Sequence, residues 1–169
     1  MFVQVIEGKV RDPGALRRQL ERWREELRPG AVGFLGSTAG VADDGTCIVL
    51  ARFADERSAV ASSDRPEQSS WWAETSTLFD GEPTFRESSD VATLLDGGSD
   101  DAGFVQVMEG RVSDRDRAEA LETPALIGQL RAARPDLIGA LRVWFPDNSF
   151  VEAAYFTSEA DARRGEASS

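Results

Sequence analysis

The chain has 169 residues, 41% hydrophobic and 29% charged, enough apolar material for a real core beneath a solvated surface. Thirty acidic against 19 basic side chains give a formal net charge of -11, a field that repels phosphate backbones and anionic lipid headgroups and speaks against nucleic-acid and membrane partners. Histidine is absent, which removes Ser-His-Asp and Cys-His catalysis, an imidazole base, and imidazole ligation of zinc or haem.

Residues 2–10, rich in Val and bounded by a turn, read as a strand buried on both faces, and no basic-then-apolar leader precedes them. Asp12 and Pro13 can cap and open a helix whose stripe is Leu16, Leu20, Trp23 and Leu27, stopped by Pro29-Gly30. Strands are expected over 31–41 and 46–53, joined at Asp43-Asp44-Gly45. Cys47, at the start of the second, is expected to be a structural thiol kept reduced in the cytoplasm. A helical stretch begins near Asp55, breaks at Asp64-Arg65-Pro66 and restarts, with Asp64 and Glu67 at capping-box spacing. Residues 83–90 suit a fourth strand, and the order βαββαβ is that of a ferredoxin-like unit.

Residues 96–102 read as a flexible acidic linker. Beyond it the opening motif returns: Phe2-Val3-Gln4-Val5-Ile6-Glu7-Gly8-Lys9-Val10 reappears as Phe104-Val105-Gln106-Val107-Met108-Glu109-Gly110-Arg111-Val112, with seven of nine positions identical. Arg28-Pro29 answers Arg134-Pro135, Gly33 answers Gly139, and Arg52-Phe53 answers Tyr155-Phe156. This is a duplication. Strands are expected over 104–112, 137–145 and 149–156, with a helix interrupted near Thr123-Pro124. The repeats therefore cover 1–95 and 103–169, the second truncated, with no room for a fourth strand and one sheet edge open for dimerisation.

Tandem βαββαβ halves with Phe-Val-Gln-Val openings and the Trp71-Trp72 helix resemble the dimeric α/β-barrel superfamily, within it the antibiotic-biosynthesis-monooxygenase-like group in a fused two-copy form. The resemblance implies an α+β fold whose two ferredoxin-like repeats build a barrel-type core within one chain. It also supplies a pattern for cofactor-independent oxygenases, an Asn and, four residues later, a Trp. Those places hold Val49 and Phe53 in one repeat, Glu152 and Phe156 in the other.

Six residues are candidates for a ligand site. Gln4 and Gln106 are matched polar residues in apolar strands, and each needs a hydrogen-bond partner if buried. Arg52 and Tyr155 are matched in a later strand, and Trp71 with Trp72 offers an aromatic wall or a helix pinned to its sheet. Trp144, Phe145 and Phe150 most simply pack the second hairpin. No nucleophile–base pair or metal-ligand cluster is read, and no cofactor is expected. The leading expectation is a cytosolic protein binding a small apolar or aromatic molecule without catalysis. The alternatives are a cofactor-independent oxygenase of aromatic or polyketide-like substrates and a structural protein with a filled barrel.

Overall fold

β1 (Phe2–Lys9) lies inside a four-stranded antiparallel sheet of order β2-β3-β1-β4, where β2 is Phe34–Val41, β3 Thr46–Phe53 and β4 Thr84–Ser88. This comes from a computed structural model that describes residues 1–168. Helix α1 (Pro13–Arg22) opens as its sequence dictates, with the Asp12 carboxylate accepting from the Ala15 N–H at 3.0 Å and Pro13 in the first turn. It continues into a π-helical turn, Trp23–Leu27, where the Arg28 N–H reaches back to the Trp23 carbonyl.

Helix α2 (Glu56–Ser63) is capped by Asp55, and α3 (Pro66–Thr75) follows. The capping box expected at Asp64 does not form. Pro66 drives the residue before it into extended backbone, so Arg65 becomes the N-cap, while Asp64 closes α2 and Glu67 pairs with Arg65 at 3.0 Å. The helices cover one face of this sheet. Phe2 and Phe53 cluster there with Ala59 of α2, and Val10, Leu16, Cys47 and Phe79 form a second buried group.

The second repeat holds β5 (Val91–Leu94), β6 (Phe104–Arg111), α4 (Arg115–Ala120), α5 (Pro124–Ala133), β7 (Leu137–Trp144), β8 (Ser149–Phe156) and α6 (Glu159–Ala167). The interruption expected near Thr123-Pro124 is a clean restart, with the Thr123 hydroxyl capping α5. The sheet order is β5-β7-β8-β6.

The chain divides into two compact units, Met1–Ser89 and Asp90–Ser169. Residues 91–94, placed in the first repeat by the sequence reading, thus pair with β7 of the second. The segment read as a linker begins with a tight turn in which Leu95, Asp96 and Gly97 all have positive φ. A Cβ at Gly139 would lie 1.9 Å from the Gly97 carbonyl, so only glycine fits there. The structural counterpart of Gly139 is Gly36, not Gly33, because the matching register shifts fall between Phe34 and Gly36 and between Leu137 and Gly139.

Candidate functional site

Partners across an antiparallel ladder share a face, and neighbours along a strand alternate. Phe2 and Phe53 lie under α2, so the opposite, helix-free face of the first sheet carries Val3, Val5, Leu50 and Arg52. Its rows follow from the register: Gly36–Arg52–Val3–Ser88, then Thr38–Leu50–Val5–Arg86. Val3, Val5 and Leu50 are fully buried. Arg52 is half-buried among them, its Nε wholly covered and without a hydrogen-bond partner, and no ion pair reaches it among the described residues. Gly36 makes room for it: a Cβ there would meet a guanidinium nitrogen at 2.6 Å. The other arginine of this face, Arg86, has Glu7 at 3.7 Å.

The helix-free face of the second sheet repeats the layout with different chemistry. Gly139–Tyr155–Val105 stands where Gly36–Arg52–Val3 stands, beside Leu141–Ala153–Val107. Tyr155 is 2% exposed, and Leu141 and Ala153 are fully buried.

The remaining candidates lie on the helix-covered faces. Gln4 donates to Glu87 at 2.8 Å, and Gln106 donates to Glu166 of α6 at 3.2 Å, so each matched amide is held by a carboxylate away from Arg52 and Tyr155. Trp71 is buried and donates its indole N–H to the Gln19 carbonyl at 2.8 Å, which pins α3 to α1. Trp72 sits 6.2 Å from it and packs edge-on to Phe85 at 5.2 Å. The rings of Phe53, Phe34, Trp23, Trp71 and Trp72 touch in succession across the unit. Val49 and Phe53 pack against the helices, and Phe156 joins Ala154 and Ala162, so three of the positions matching the oxygenase pattern are core.

The fourth of those positions, Glu152, belongs to an ion triad that the sequence reading missed. Arg142 reaches Glu122 and Glu152, each at 2.6 Å, with its guanidinium 5.5 Å from the Trp144 ring and 5.7 Å from the Phe150 ring. Burial disfavours its charge, but the two carboxylates outweigh that and raise its pKa above the usual arginine value. The hairpin register held the signal, since folding at Asp147-Asn148 sets Arg142 opposite Glu152. Cys47 is fully buried and its thiol is pushed up to about 11 by desolvation, which suits a structural role. A surface hollow of about 450 Å³ over α2, lined by Glu56, Arg57, Val60, Ala61 and Asp64, includes none of the candidates. Among the described residues no group of acidic and cysteine side chains could hold a metal ion, and no helix is long and apolar enough to cross a membrane.

No family model and no curated protein matches the sequence. Solved structures do match. A candidate monooxygenase from Fusobacterium nucleatum aligns over 98% of this chain and 80% of its own, with a TM-score of 0.76 at 12% identity. A candidate monooxygenase from Lactobacillus acidophilus aligns over 97% of this chain and 80% of its own, with a TM-score of 0.72 and again 12% identity. At such identity the likeness is one of fold. The chain shares the fold of these two structures.

Proposed function

We propose that the protein binds a small apolar or aromatic molecule on the helix-free side of its first sheet, without a catalytic constellation of its own. One observation carries this reading. Arg52 lies between Gly36 and fully buried Val3, with fully buried Leu50 in the next row, and its buried Nε has no acceptor. A polar group set among apolar side chains is a feature of small-ligand sites, and a buried donor left unmade costs stability that a structural residue has no reason to incur. Of the six candidates, the reading uses Arg52 and, in the second repeat, Tyr155. It includes a cytosolic location, no cofactor, no nucleic-acid or membrane partner on the net charge of -11, and pairing of two copies along the outer edge of β6, which ends its sheet. Calorimetric titration of the full chain with a panel of fused-ring aromatics tests it. Saturable heat from at least one compound is expected; a silent panel would remove the proposal.

A second reading, a cofactor-independent oxygenase acting on aromatic or polyketide-like substrates, draws on the fold shared with candidate monooxygenases. Catalysis would then fall to Arg52 or Tyr155, since the positions matching the oxygenase pattern are core or ion-paired. Oxygen uptake with quinol substrates separates the two: sustained consumption supports the oxygenase, and a flat trace at high protein concentration leaves the binding reading.

A further inference from the structure

Resting on the binding reading above, we infer that the ligand is an anion, an aromatic ring bearing a planar oxyanion such as a carboxylate, and that Arg52 takes that group. The charge inventory around Arg52 leads there. This is a protein with 30 carboxylate side chains, yet among the described residues none pairs with this guanidinium. On the same face Glu7 lies toward Arg86, and the nearest carboxylate on β4, Glu87, is on the other face and engaged by Gln4. By contrast Arg115, Arg134 and Arg142 are each held by at least one acidic partner.

An arginine presents a flat fork of N–H donors that matches a carboxylate or a similar planar oxyanion with two parallel bonds. Gly36 lets the guanidinium lie close against β2. Val3 and Leu50, both fully buried, set the Arg52 stem in apolar surroundings. A neutral ligand would leave the charge as it is; an anionic one supplies the missing partner. The second repeat places Tyr155 at the matching position, so there is one such site per chain.

Calorimetric titration with 2-naphthoate and its neutral isostere 2-naphthamide, on the full chain, tests this. Naphthoate should bind one per chain and about tenfold or more tighter than the amide, the scale of one charge-assisted pair. Arg52→Met should erase the preference, and Arg52→Lys should keep part of it. Met fills the stem's volume without a buried donor, so the variant is expected to fold, which its circular dichroism and melting curve verify; Arg52→Gln is the second variant should it not. Equal affinity for the two probes, or a preference that survives removal of the charge, overturns the anion assignment while the binding reading stands. Binding of neither naphthyl probe overturns the assignment, and the binding reading falls only if the whole fused-ring panel is also silent.

Discussion

The two repeats treat a buried arginine in opposite ways. In the second sheet Arg142 sits on the helix-covered face between Glu122 and Glu152, its charge compensated and two aromatic rings alongside. In the first sheet Arg52 sits on the helix-free face with a covered Nε and no acidic partner among the described residues. The same residue type on the same architecture thus has its charge met by carboxylates in one repeat and not in the other. Compensated charge reads as structure, and the uncompensated charge is what the proposed binding function rests on.

Stability measurements sharpen the contrast. The largest effect is expected at Trp71→Ala, which empties a core position and removes the indole bond that ties α3 to the Gln19 carbonyl; chemical denaturation should show a loss of about 3–5 kcal/mol. Next comes Arg142→Met, which leaves Glu152, 14% exposed, without its cation; the expected loss is about 3 kcal/mol. The equivalent change in the first repeat, Arg52→Met, should be neutral or stabilising by up to about 1 kcal/mol, because it removes an unmet buried donor. If Arg52→Met cost as much as Arg142→Met, the two arginines would be alike and the contrast would collapse.

Two smaller effects concern features outside that contrast. Cys47, with its thiol at about 11, should resist a thiol reagent at neutral pH in the folded protein and react only as denaturant exposes it. Asp44 accepts from the Thr46 N–H and faces Lys9, which holds its pKa at about 2, below the ordinary 3.8. A depressed carboxylate contributes stability in full above the unfolded value and loses it as pH falls through the folded one. Asp44→Asn should therefore lower the melting temperature slightly at pH 7, and the difference should vanish toward pH 2. Asp147, its counterpart, is lowered in the same way by Ser149, so the hairpins should respond alike where the Arg52 and Arg142 sites do not.

The duplication, most strands and the cap at Asp12 were legible in the sequence, because the Phe-Val-Gln-Val motif, strand alternation and the Asp12-Pro13 pair are local signals. The sheet to which Val91–Leu94 belongs was not, since a four-residue strand after β4 carries no mark of its pairing partner. The capping box at Asp64 lost to the backbone demand of Pro66. Spacing also matched Gly33 to Gly139, where the ladder matches Gly36, because a register shift displaces the count. Arg52 and Tyr155, matched by spacing, fall in equivalent rows of the two sheets. The glutamines were matched equally well, yet their partners Glu87 and Glu166 come from β4 and α6, whose contacts spacing cannot reveal. The Arg142 triad needed the hairpin register plus Glu122 from the loop between α4 and α5.

The most direct measurement is the Nε–H resonance of each arginine, followed by nitrogen-15 NMR while 2-naphthoate is added. The Arg52 signal should shift as the site fills, while the Arg142 signal, already held by two glutamates, stays in place. Saturation with the Arg52 signal unmoved would contradict the account.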